Sequence, residues 1–149
     1  MSGYAIGKGI PKVDGMGLVT GKPVYTDDLA SKNCLIIKIL RSPYAFARIK
    51  SINIENAKKV PGVECIFTHE NVPKYLYTRA GQSYPEPSTY DKYILDEYVR
   101  YIGDEVAIVA ADTEETALKA IKLIKVDYEV YDPVLDMMKA EESKSKIHF

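Results

Sequence analysis

EVAIVAA (residues 105–111), DTEETALKAIKLIK (112–125) and VDYEV (126–130) form the stretch from which the fold is read. The first segment is a short, almost unbroken apolar run rich in Val and Ala, the mark of a strand covered on both faces. In the second, Ala117, Ala120, Ile121 and Ile124 recur at helical spacing, so one face of a helix is apolar. Asp112 stands where a cap belongs, with Glu115 at the capping-box position. Glu114 and Glu115 in the first turn and Lys122 and Lys125 in the last complement the helix dipole. Val126, Tyr128 and Val130 then alternate as a strand does, and Pro133 ends it. Together they read as a βαβ unit.

Upstream the same order recurs. Cys34–Leu40 (CLIIKIL) is a near-continuous aliphatic run, expected to be a central strand. A second strand covers Arg48–Ile54, and a short helix follows over Glu55–Val60, with Asn53 as candidate cap, Ala57 and Val60 inward, and Pro61-Gly62 as its stop. Val63, Cys65 and Phe67 alternate with Glu64, Ile66 and Thr68 in a third strand. Two βαβ units around one mixed sheet make an α+β domain over residues 33–136, preceded by an extended, glycine-punctuated arm over 1–32. Residues 137–149, with Glu141, Glu142, Lys144 and Lys146 bunched together, read as a linker.

Glu70–Tyr98 differs in kind: it holds Pro73, Pro85, Pro87 and tyrosines at 75, 77, 84, 90, 93 and 98, so it is expected to be a long loop whose aromatic surface something else covers. Arg41 and Arg48 bracket Tyr44 and Phe46 beside a strand end. Such a place could face an anion or a partner, although arginines paired with local carboxylates are the simpler expectation. Arg41, Tyr44, Phe46, Tyr84 and Tyr90 are therefore the candidate contact residues.

The composition narrows the function. With 149 residues, 46% apolar, 20 basic and 21 acidic side chains, the chain suits one domain and offers no basic face for nucleic acid. No run approaches the roughly 20 apolar residues of a membrane span, and Met1–Val13 lacks an apolar signal core, so a cytoplasmic protein is expected. Cys34 and Cys65 form no CxxC pair and read as buried thiols, which argues against a zinc or iron–sulfur site in this chain. Gly7-Lys8-Gly9 and Gly15-Met16-Gly17 lack the third glycine of a dinucleotide loop, and Gly21-Lys22-Pro23 has Pro where a phosphate loop needs Ser or Thr. His69 and His148 read as solvated loop side chains. The adjacent acids Asp27-Asp28, Asp104-Glu105 and Glu114-Glu115 read as caps and exposed faces. No catalytic, cofactor-binding or metal-binding residue is assigned.

Three ordered blocks carry a resemblance: VTGKPVYTDD (19–28), RSPYAFARIKSINIENAKKVPGV (41–63) and VRYIGDEVAIVAADTEETALKAIKLIKVDYE (99–129). Together they resemble the α/β hammerhead domain of the molybdenum-binding subunit in the xanthine dehydrogenase and aldehyde oxidase family, over nearly all of residues 10–140. The resemblance implies that the chain is a piece of a molybdenum hydroxylase acting on purines, aldehydes or related heterocycles. It would be a lobe supporting the substrate channel, with the catalytic and molybdopterin-binding motifs in later domains. Iron–sulfur clusters and FAD would belong to other domains or subunits, which with the remaining molybdopterin-binding domains are the implied partners. The residues alone leave open a free-standing βαβ module for interaction or small-ligand sensing, and a purely structural subunit.

Overall fold

The structure, a computed structural model, describes residues 7–31, 33–79, 89–143 and 145. The chain divides into two compact units, Met1–Cys34 and Leu35–Phe149. In the first, the expected extended arm carries a short helix α1 (Gly15–Val19) and a 3-10 turn (Thr26–Leu29). Thr20 closes α1 by donating its hydroxyl to the Met16 carbonyl at 2.7 Å. None of the described residues of this unit is buried.

The second unit runs β1 (Ile36–Arg41), β2 (Ala47–Asn53), α2 (Glu55–Lys58), β3 (Val63–Thr68), β4 (Tyr98–Val99), β5 (Glu105–Ala111), α3 (Glu114–Leu123) and β6 (Lys125–Val130), then a 3-10 turn (Met137–Lys139). The α+β class and both strand–helix–strand orders stand, but the single mixed sheet is corrected. There are two three-stranded sheets, ordered β1-β5-β3 and β4-β2-β6, and every pairing is antiparallel. Each helix therefore carries the chain from one sheet to the other. Residues 54–62, between β2 and β3, are fewer than the roughly dozen residues a crossover between parallel neighbours needs.

β5 is the middle strand of its sheet, and its two faces meet different neighbours. Ala107, Val109 and Ala111 pack with Ala57 and Val60 beside α2, Ala117, Ala120 and Ile124 from α3, and Ile66 from β3. Val106 packs with Ala47 and Ile49 of β2 and Val99 of β4. Small side chains on β5 and α3 let strand and helix approach closely, and burial of this apolar surface is the main driving force for the fold.

Other expectations change with this frame. β1 is an edge strand, because only β5 pairs with it, and Ile37 stays exposed. Cys34 lies outside it and is exposed, while Cys65 is half-buried, so neither is a fully buried thiol. A register shift between Val63 and Cys65 brings Ile66 and Thr68 inward and leaves Phe67 exposed. The cap of α3 is Thr113, not Asp112: the Thr113 hydroxyl oxygen accepts the Thr116 N–H at 3.1 Å. Asp112 instead donates its N–H to the Gly62 carbonyl at 2.9 Å. Asn53 contributes to the start of α2 as expected, accepting the Glu55 N–H at 3.1 Å, and Ala57 and Val60 are buried.

The Asp112–Gly62 contact joins the end of β5 to the turn before β3. Gly62 has φ +88°, and a Cβ built there would fall on the Asp112 carboxylate; Gly103 has φ +92° but faces open space. Gly103→Ala should thus lower unfolding stability in urea by about 1–2 kcal/mol through backbone strain alone, and Gly62→Ala by about 3–4 kcal/mol through strain plus the clash. Equal losses would mean that the Asp112 contact does not constrain the turn.

Candidate functional site

Three of the five candidate contact residues, Arg41, Tyr44 and Phe46, lie at the end of β1 and in the turn after it. Ser42, itself buried, donates its N–H to the Asp104 carbonyl at 2.8 Å and accepts the Gly103 N–H at 2.8 Å, which fastens residues 42–46 to the turn before β5. The Ser42 hydroxyl also exchanges 3.0 Å hydrogen bonds with the backbone of Tyr44. Tyr44 is partly exposed and meets the Tyr128 ring edge-on at 5.2 Å, and Phe46 is buried against Tyr131 at 5.2 Å. Burial, then the neighbouring Tyr44, push the Tyr128 hydroxyl up to about 12, so it stays neutral.

Beside this turn lies a mostly apolar cavity of about 250 Å³, walled by Ala45 and Phe46, the 100–102 turn, and Pro133, Val134 and Leu135. Ile102 and Leu135 are 72% and 82% exposed at this face. The sequence reading missed both: Ile102 sits in a Tyr-Ile-Gly turn and Leu135 follows a proline, so neither belongs to an apolar period. Tyr90 is exposed and is not among the residues that line this cavity, and Tyr84 lies outside the described residues.

The arginines have local partners. Arg48 reaches Glu97 at 3.4 Å and lies over the Tyr98 ring, with Glu97 the main cause of its raised pKa. Arg41 donates to the Gly103 carbonyl at 2.8 Å and pairs with Glu105 at 3.5 Å. Among the described residues no three His, Cys, Asp or Glu side chains could hold a metal ion together, and both cysteines are free. The donors among the described residues do not fit a molybdenum centre or an iron–sulfur cluster. His69 is corrected: it is half-buried, and its Nδ1 is buried without a hydrogen-bond partner. His148 lies outside the described residues.

The pair Asp104-Glu105 is also corrected, for it is neither a cap nor an exposed face. Lys92 bonds Asp104 at 2.7 Å and Glu105 at 3.1 Å, Arg79 reaches Glu105 at 2.6 Å, and the Tyr101 hydroxyl accepts from Arg79 at 2.8 Å and Lys92 at 3.0 Å. Asp104 further accepts the Arg100 N–H at 2.9 Å. Residues 77 and 92 exchange backbone hydrogen bonds at 2.8 and 3.2 Å, so both flanks of the tyrosine-rich segment are tied to the start of β5.

Burial alone would raise the Glu105 carboxyl, but hydrogen bonds from Arg79 and Lys92 overcome it and hold the group at about 2. A carboxyl depressed in the folded state stabilises above its unfolded value and loses that contribution as pH falls toward its folded value, here from about 4.5 to about 2. Glu105→Gln should cost about 1–3 kcal/mol near neutral pH. In denaturant titrations at several pH values, the gap from the unmodified chain should close between pH 4.5 and 2. A gap independent of pH would contradict the ion-pair account.

Comparison with known proteins agrees with this architecture. Residues 20–132 match the model of the aldehyde oxidase and xanthine dehydrogenase a/b hammerhead domain. The chain is 44% identical over 135 residues to a probable hypoxanthine oxidase of Escherichia coli (strain K12), covering 91% of this chain and 14% of that protein. It is 40% identical over 122 residues to the xanthine dehydrogenase molybdenum-binding subunit of Escherichia coli O157:H7, covering 79% of this chain and 16% of that one. The aldehyde oxidoreductase of Desulfovibrio gigas superposes with a TM-score of 0.77 at 30% identity, over 93% of this chain and 16% of the other. The chain thus spans about one sixth or less of the length of these relatives. With a matching model across the two sheets and both helices of its second unit, the chain belongs to the aldehyde oxidase and xanthine dehydrogenase hammerhead family.

Proposed function

We propose that this chain acts as the hammerhead lobe of a molybdenum-binding subunit in a xanthine dehydrogenase-like hydroxylase of the cytoplasm, acting on purines, aldehydes or related heterocycles. The observation that carries the reading is the match of nearly the whole chain to a small part of molybdenum enzymes. In this reading residues 33–136 form the lobe, residues 1–32 an arm, and residues 137–149 a linker toward the molybdopterin-binding domains. The lobe supports the wall of the substrate channel, and the molybdenum chemistry is supplied by residues of those other domains. Iron–sulfur and flavin domains or subunits complete the electron path.

What this chain contributes is a docking face. Phe46, Ile102 and Leu135 line the apolar cavity, and Arg41, Tyr44, Tyr84 and Tyr90 are the remaining contacts proposed from the sequence. Exposed apolar side chains around a concavity favour burial against a partner, and their desolvation would supply most of the binding energy.

Two arms test the proposal. The purified chain should retain no molybdenum and show no hypoxanthine-dependent dye reduction, and coexpression with the remainder of a related molybdenum subunit that lacks its own hammerhead should restore both. Ile102→Asp and Leu135→Asp, at exposed positions, should leave the chain's stability within about 0.5 kcal/mol and weaken that association by roughly tenfold or more. Activity of the chain alone, or undiminished association of the Asp variants, would overturn the reading.

A further inference from the structure

In the sheet β1-β5-β3, Lys38, Val109 and Ile66 stand side by side, and Lys38 pairs with Glu114 of α3 at 2.6 Å, so this row lies on the helix side. The alternate rows point the other way. One is Ile37, Ala110 and Cys65, and the next is Ile39, Ile108 and Phe67. On that side Val106 is closed over by the second sheet, but among the described residues neither core cluster takes in Ile37, Ile39, Ile108 or Phe67. Ile37 is 61% and Phe67 40% exposed, while Ile39, Ile108 and Cys65 are half-buried.

These two rows carry no charge, amide or hydroxyl. Antiparallel sheets that face water on one side alternate apolar with polar residues, and the outer side of the other sheet does so, setting Arg48 opposite Glu129. EVAIVAA breaks the alternation, because Ile108 and Ala110 stand where a solvated face would have polar side chains. A contiguous apolar patch of this kind is suited to burial.

We infer that this face seats an apolar segment from the molybdopterin-binding remainder of the same polypeptide, an inference that rests on the lobe reading proposed above. Area selects a tethered occupant. Two rows across three strands spaced ~4.8 Å apart make a patch on the order of 200 Å², far below the roughly 800 Å² per partner of a stable complex between separate molecules. A second copy of this chain is therefore a poor fit, whereas a neighbour on the same polypeptide meets the patch at high effective concentration. Only 16% of the aldehyde oxidoreductase chain lies in the stretch matched here, so such a protein has ample chain to supply that neighbour. The segment presents aliphatic or aromatic side chains, because a polar group pressed onto this face would lose its hydrogen bonds to water and gain none.

Cys65 lies within the patch and reports its covering. Alkylation by iodoacetamide, read by peptide mass spectrometry, measures its reactivity in the 149-residue chain and in the complex coexpressed with a molybdenum subunit that lacks its own hammerhead. Its rate should fall at least tenfold on association. Ile37→Lys, a charge of the kind that edge strands tolerate, and Phe67→Thr, which keeps a β-branched residue, should leave the urea midpoint unchanged and each weaken association about tenfold. A complex in which Cys65 reacts as fast as in the free chain, or which both variants leave undiminished, would overturn the face and spare the lobe reading. Failure of the unmodified chain to associate would overturn both. Dimers of the free chain that protect Cys65 as concentration rises would give the face to a second copy instead.

Discussion

The burial of β5 on both faces is the constraint on which the rest of this structure rests. Ala107, Val109 and Ala111 turn toward the helices and Val106 toward the second sheet, so one seven-residue strand joins two core clusters. A central strand also has both of its backbone edges paired, by β1 and β3. Few polar residues could occupy such a place, which is why EVAIVAA is nearly without them. Its one charged residue, Glu105, stands at the strand's first position, where Arg79, Lys92 and Arg41 can reach it.

Function follows from what this frame leaves at its margins. The turns at 42–46 and 100–103 are fastened to each other through Ser42, Gly103 and Asp104, and the apolar cavity opens beside them. The ionic cluster at Asp104 and Glu105 holds the approach and exit of the tyrosine-rich segment. A rigid lobe with preset margins loses little conformational entropy on docking, which suits the supporting role proposed for it. The described residues assemble no metal-binding cluster, and the proposed division of labour places redox chemistry in the neighbouring domains.

Much of this architecture was legible in the amino acids because periodicity reports burial. The apolar face of α3, the doubly covered β5 and the short α2 with Ala57 and Val60 inward were all read correctly from spacing. Pairing was not legible, since a strand–helix–strand order is compatible with parallel neighbours in one sheet and with strands dealt to two antiparallel sheets. Edge or centre was equally hidden: CLIIKIL has the composition of a central strand, yet β1 pairs on one side only. The family blocks in the sequence carried the assignment that spacing could not. The site was the less legible part. Asp104 and Glu105 look like surface acids until Lys92, thirteen residues away from Glu105, folds back onto both. The cavity-lining Ile102 and Leu135 sit outside any periodic pattern, and the idle nitrogen of His69 is visible only in three dimensions.

The claim that β5 supports both cores is tested most directly by native-state hydrogen exchange. Amides of Val106 to Ala111 should be the slowest to exchange, opening only with global unfolding, ahead of which β6 and the 3-10 turn at Met137–Lys139 exchange through local fluctuations. If β5 amides instead exchanged through local openings while β2 or β6 remained protected, the strand would not be the common support of the two sheets, and this account of the fold would fail.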